Sequence, residues 1–97
     1  MQQDPNRQIQ IRASDADLKG AYSNMMQVSH TQEEFILDYF YLTPNAPVGT
    51  LASRVILSPG HFKRMVEVLG VNLKNYEKLY GQITAAQGPN QEIGFKT

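Results

Sequence analysis

Apolar and polar residues alternate along much of the first half of the chain, as they do in strands with two different faces. The alternation is clearest at residues 9–13 and 21–29. Residues 35–42 are apolar and aromatic on both sides except at Asp38, which is typical of a central strand. A further strand is predicted at residues 51–57, and turn-forming residues separate the segments. We therefore predict an antiparallel sheet of about four strands, connected as a meander.

One long amphipathic helix is predicted directly after the last strand. Ser58 is a good N-cap, Pro59 suits the first helical position because its φ is already helical, and Gly81 suits the end. Together with the sheet, this helix makes the fold class α+β. Apolar residues recur along it at helical spacing and form one stripe: Phe62, Met65, Leu69, Leu73, Tyr76 and Tyr80.

The apolar pattern also predicts which residues pair across the strands. Asp38 is placed opposite Arg54, because a shift by one residue would mix the apolar and polar faces. This register pairs Phe35 with Leu57, Tyr41 with Leu51 and Phe40 with Ala52, and the preceding strand fits with Val28 opposite Phe35 and Met26 opposite Leu37.

The resulting sheet has two apolar faces. We expect the helix stripe to cover the first sheet face, which carries Tyr22, Met26, Val28, Phe35, Leu37, Tyr39, Leu51, Val55 and Leu57. If the second sheet face were solvated, its side chains should be mainly polar, but most of them are apolar. We expect a second copy of the chain, or another protein, to cover it. The candidate contact residues are Met25, Ile36, Asp38, Phe40, Arg54 and Ile56.

The composition is that of one globular domain. The chain has 97 residues, which is too short for two domains. Hydrophobic residues make up 41% of it and charged residues 19%, which is too apolar a composition for a disordered chain. We predict a single domain at residues 9–83 between flexible tails at 1–8 and 84–97.

The charges of the 9 basic and 9 acidic residues cancel, so no global electrostatic field attracts nucleic acid or an anionic membrane. The lack of cysteine and of a signal-peptide pattern favours a cytoplasmic protein.

Candidate chemistry is sparse. His30 and His61 have no third ligand at a suitable spacing, so no metal is expected. The neighbouring acidic residues fall in predicted turns, where carboxylates are usually solvated, and Ser58 is explained as a helix cap. We therefore expect neither catalytic residues nor a cofactor.

Four runs resemble a known family: Tyr-Ser-Asn at 22–24, Glu-Phe-Ile-Leu-Asp-Tyr at 34–39, Ser-Arg-Val-Ile-Leu-Ser-Pro-Gly-His at 53–61 and Asn-Tyr-Glu-Lys-Leu-Tyr-Gly at 75–81. They are similar to the prokaryotic family catalogued as domain of unknown function 3467. The resemblance implies a compact domain in bacteria or archaea and brings no known activity. In topology alone, the arrangement is also similar to SecB-type export chaperones, which place a long helix on an antiparallel sheet and form oligomers.

These observations favour a non-catalytic interaction module that forms homo-oligomers through the second sheet face. One alternative is SecB-like holding of apolar polypeptide segments on the same surface. Another is single-stranded nucleic-acid binding, with Tyr39, Phe40 and Tyr41 stacking on bases, although the neutral charge disfavours it. The helix itself is a further candidate for a dimer seam, since Tyr76 and Tyr80 are of a residue type common at interfaces.

Overall fold

The computed structural model describes residues 8–45, 47–88 and 92–96. Along the chain, its elements are α1 (Asp15–Lys19), β1 (Met25–His30), β2 (Phe35–Leu42), β3 (Gly49–Leu57) and α2 (Pro59–Tyr80). The strands form an antiparallel sheet in the order β1-β2-β3. The α+β class, the meander and the C-terminal helix are thus confirmed, while the sheet has three strands among the described residues instead of about four.

The predicted first strand, residues 9–13, is not part of the sheet. Its residues form neither helix nor strand, and Ile9 and Ile11 are exposed. Alternation alone does not make a strand, because the backbone also needs a neighbouring strand to bond with, and the described part of the chain places none beside it. Of the predicted N-terminal tail, residues 1–7 lie outside the described residues.

A short helix, α1, follows this segment, where the sequence predicted only a turn-rich connection. Its start is a capping box: Ser14 Oγ accepts a hydrogen bond from the Asp17 backbone N–H at 3.1 Å, and Asp17 Oδ2 accepts one from the Ser14 N–H at 3.0 Å. The hydrogen bond from the Ser14 backbone N–H lowers the pKa of Asp17, because it stabilises the charged carboxylate, and the Ser14 side chain adds to this effect.

The predicted register between β2 and β3 is confirmed around Asp38, which lies opposite Arg54. Towards the far end of β2, a bulge between Tyr39 and Phe40 shifts the pairing by one residue. Phe40 therefore lies opposite Leu51, which moves Leu51 from the first to the second sheet face. The predicted pairs Phe40–Ala52 and Tyr41–Leu51 are wrong, and the observed pairs are Phe40–Leu51 and Tyr41–Thr50.

The β1–β2 hairpin is tighter than predicted. His30 lies opposite Phe35, and the connection is closed by a hydrogen bond from the Thr31 N–H to the Glu34 carbonyl oxygen at 2.9 Å. The observed pairs are Val28–Leu37 and Met26–Tyr39, so the predicted pairs Val28–Phe35 and Met26–Leu37 are wrong by two residues. Because two is an even number, each side chain keeps its predicted face.

The ends of α2 are as predicted. Ser58 is the N-cap, and its Oγ accepts a hydrogen bond from the His61 N–H at 3.3 Å. Gly81 follows the last helical residue with a φ of 96°, which favours glycine, and donates its N–H to the Glu77 carbonyl oxygen at 2.9 Å.

The packing of α2 differs from the prediction. Phe62 stacks on Phe35 with ring centroids 4.0 Å apart, which attaches the first turn to the sheet. Farther along, Leu69 and Leu73 are 57% and 50% exposed, so the stripe does not cover the first sheet face of its own chain. Ser58 is the single residue between β3 and α2, whereas strand–helix loops in compact α/β units usually have two to six residues. Beyond its first two turns, α2 leaves its stripe exposed and does not lie along the described sheet.

Candidate functional site

The second sheet face has the composition that the sequence predicted. Residues directly opposite each other on paired strands share a face, and so do alternate residues along one strand. The six predicted contact residues satisfy both rules and form three cross-strand pairs: Met25–Phe40, Ile36–Ile56 and Asp38–Arg54.

An ion pair occupies the centre of this face. Arg54 Nε donates to Asp38 Oδ1 at 2.6 Å, and Arg54 Nη2 donates to Asp38 Oδ2 at 3.1 Å. The carboxylate accepts these hydrogen bonds and carries the opposite charge, which raises the pKa of Arg54 above its ordinary value. The side chain of Asp38 is 3% exposed and that of Arg54 is 47% exposed. The pair therefore joins a buried carboxylate to a guanidinium that reaches solvent.

The C-terminal segment of the same chain lies over this pair. The ring centroid of Phe95 is 5.7 Å from that of Phe40, and Arg54 Cζ lies 5.4 Å from the Phe95 centroid. This is the geometry of a cation–π contact. Residues 84–97, which the sequence predicted to be a tail, thus include a segment that covers part of the second sheet face.

This cover changes which candidate contact residues a partner can reach. Asp38 and Phe40 are buried within the chain, and Met25 and Ile36 are half-buried. Ile56 and part of Arg54 remain exposed, as does Leu51, which the bulge has added to this face. The sequence pattern gave no signal for Leu51, because it does not reveal where a bulge lies.

The first sheet face is accessible in part as well. Its side chains Met26, Val28 and Val55 are between 38% and 41% exposed, although they flank the fully buried Leu37. At one end, Tyr41 meets Tyr22 edge to face, with ring centroids 5.9 Å apart. The sequence had assigned the helix stripe to this face, so it was not among the predicted contact surfaces.

Residues 1–85 match a family model described as "Protein of unknown function (DUF3467)". The chain belongs to the DUF3467 family. The match includes all five elements, while the segment with Phe95 lies beyond it. The comparisons with curated proteins and with solved structures gave no match. They do not show the likeness to SecB-type chaperones that the sequence suggested.

An open groove of about 640 Å³ borders the first sheet face of this DUF3467 protein, next to the start of β1. Its polar side chains already bond to the backbone. Ser23 Oγ donates to the carbonyl oxygens of Met25 and Phe40, each at 2.9 Å. The amide of Asn24 donates to the Leu42 carbonyl oxygen at 3.0 Å and accepts from the Leu42 N–H at 2.8 Å. These bonds hold β1 against β2, and we assign the groove a structural role.

The three aromatic residues considered for base stacking do not form one platform. Tyr39 and Tyr41 lie on the first sheet face, whereas Phe40 lies on the second and is buried there. A stacking surface for single strands needs rings that are exposed on one side together with a basic groove. The geometry gives nucleic-acid binding no additional support.

Both histidines contact neighbours of their own chain. The His30 ring lies 5.3 Å from that of Phe35, and Arg64 Nη2 is 2.9 Å from His61 Nδ1. Within the described ranges, no three histidine, aspartate or glutamate side chains are grouped so that they could hold a metal ion. In the same residues, no helix is both long and apolar enough to cross a membrane.

Proposed function

We propose that this DUF3467 protein is a non-catalytic interaction module that works as a homodimer or higher homo-oligomer. The observation that carries the proposal is the surface left open by one chain. Its accessible area is 9403 Å², to which the exposed segments at residues 8–20 and 81–88 contribute besides the sheet and α2, whereas a compact monomer of this mass would expose about 5,600 Å². Its radius of gyration is 17.2 Å, against about 12.5 Å for a compact domain of this length.

The small core points in the same direction. Among the described residues, Leu37 and Phe40 are the buried hydrophobic side chains, at 1% and 5% exposure. Two such side chains contribute roughly 3–6 kcal/mol, and half-buried ones contribute less each. Ordering the backbone costs roughly 1–2 kcal/mol for every residue. Apolar area buried between chains offsets part of that cost, as is common for small domains.

A second copy of the chain is the partner that best fits the composition. The net charge is zero, so chains do not repel one another when they approach. Exposed apolar side chains on α2 and on both sheet faces give every copy several surfaces to bury. Self-association through the second sheet face can use Ile56 and Arg54, which are exposed in the structure. Asp38 and Phe40 can join the contact only if the Phe95 segment moves away from them.

Holding of apolar polypeptide segments is the second candidate, because the exposed stripe of α2 would suit such a ligand as well. The two functions compete for one surface, so a sealed oligomer would argue against holding. The cytoplasmic location stays a prediction.

The proposal is tested by thermal unfolding at protein concentrations that differ by roughly a hundredfold. If folding is coupled to association, the unfolding midpoint rises with concentration, because unfolding then releases separate chains. Circular dichroism at the helix band measures the midpoint. A midpoint that is independent of concentration would overturn the proposal.

A further inference from the structure

We propose that α2 of one chain packs on the first sheet face of a second copy, and that the second copy does the same in return. The inference rests on the proposed self-association and specifies its geometry. It is carried by two apolar surfaces that are both left open in one chain.

The first open surface is the outer part of the helix stripe. Phe62 and Met65, in the first two turns, are half-buried. The continuation of the stripe is exposed at Leu69, Leu73, Tyr76 and Tyr80, and so is Val66, which borders the stripe next to Met65. These residues follow one another at spacings of three and four, so they share one side of the helix. An apolar stripe of this length needs a partner surface.

The second open surface consists of the side chains of the first sheet face that flank the buried Leu37. Met26, Val28, Tyr41 and Val55 are each between 38% and 43% exposed and carry no charge. The outer part of their own helix does not cover them, since its stripe is itself exposed. Helix stripe and sheet face are therefore chemically matched, yet one chain does not bring them together.

The dimensions agree with an exchange. Residues 66–80 span about 22 Å at the helical rise per residue. The central strand β2 has 8 residues, and a strand of that length spans about 27 Å. The outer part of α2 can thus lie along most of the sheet of a second copy.

Reciprocal packing also covers more surface than the alternative helix seam. Two helices that paired only with each other would leave both first sheet faces open. In the exchanged arrangement, one two-fold axis relates two identical contacts, each formed by a stripe and a face. Every stripe and every first sheet face then has a partner.

The test uses paramagnetic broadening between chains. The chain has no cysteine, so a nitroxide can be attached to a single Lys78→Cys variant, or to Lys74→Cys if the first variant folds poorly. The labelled variant, in excess, is unfolded and refolded together with the unmodified chain carrying ¹⁵N. All broadening of ¹⁵N signals then comes from another molecule, and the same sample with the nitroxide chemically reduced is the control.

We expect loss of the amide signals at residues 26–28, 39–41 and 53–55 of the ¹⁵N-labelled chain. Broadening confined to α2, in a particle of dimer mass, would indicate a helix seam and overturn this inference while leaving the proposed function intact. Stronger broadening at residues 92–96, which lie beside the second sheet face, than at residues 26–28 would overturn this inference in favour of a contact through the second sheet face and would leave the proposed function intact. A particle of single-chain mass without broadening would overturn both proposals.

Discussion

The two faces of the sheet carry similar numbers of apolar side chains, and they differ in what covers them. The second sheet face is partly covered within the chain, where Phe95 lies over Phe40 and Arg54. On the first sheet face, α2 contributes the stacked pair Phe35–Phe62 at one end, Tyr22 meets Tyr41 at another, and the outer part of the helix stripe stays exposed. An apolar pattern thus tells which side chains share a face, whereas the direction of a connected helix or segment decides which face a partner can reach.

The largest effect is expected from a charge in the middle of the helix stripe. Leu73→Lys should weaken self-association by about 3 kcal/mol. A buried leucine contributes roughly 1.5–3 kcal/mol, and burying the charged lysine in the contact would cost further free energy. Sedimentation over a dilution series measures the dissociation constant. The neighbouring change Lys74→Ala, on the polar side of α2, is the control and should leave it nearly unchanged. If both changes raised the dissociation constant equally, the stripe would not be the part of α2 that contacts the second copy.

The next effect concerns the ion pair under Phe95. Arg54→Met should lower the unfolding midpoint, because Asp38 would remain as a buried carboxylate without its partner. The double variant Arg54→Met with Asp38→Leu should recover much of the loss, since it removes both charges. Chemical denaturation followed by circular dichroism measures both. No recovery in the double variant would show that the loss does not come from an unpaired charge.

A smaller effect should separate the two faces directly. In a double-mutant cycle, Phe95→Ala and Phe40→Ala should be coupled by roughly 0.5–1.5 kcal/mol, the range for aromatic pairs. Phe95→Ala and Leu37→Ala should be additive, since Leu37 lies on the opposite face. Unfolding free energies of the single and double variants measure both couplings. Coupling to Leu37 as strong as that to Phe40 would show that the Phe95 segment does not distinguish the faces.

The smallest effect lies outside both faces, in α1. Asp17 has a lowered pKa in the folded chain because Ser14 donates to it, so its contribution is present above its ordinary pKa. That contribution is lost as the pH falls through the lowered value. Asp17→Asn should therefore weaken α1 near neutral pH and match the unchanged chain in acid, as measured by amide chemical shifts of residues 14–20. A difference that persists in acid would contradict the role of the carboxylate.

The parts of the fold that depend on near neighbours could be predicted from the sequence. Ser58 caps the start of α2 with its side-chain oxygen, and Gly81 ends the helix through its positive φ. The alternation around Asp38 and Arg54 determines which side chains share a face. The six candidate contact residues were placed on one face for the same reason.

The remaining features depend on distant parts of the chain. The bulge at Tyr39 and Phe40 leaves the apolar pattern almost unchanged, and residues 9–13 alternate without a strand to bond with. The docking of Phe95 and the direction of α2 are set by packing that no local pattern contains. The accessibility of each face therefore had to come from the structure.

The mass of the folded particle tests the central claim most directly. Sedimentation equilibrium of the unmodified chain at neutral pH should give twice the chain mass or a higher whole multiple, with dissociation on dilution. A particle of single-chain mass that stays folded at every concentration would contradict the claim that a second copy covers the surfaces left open by one chain.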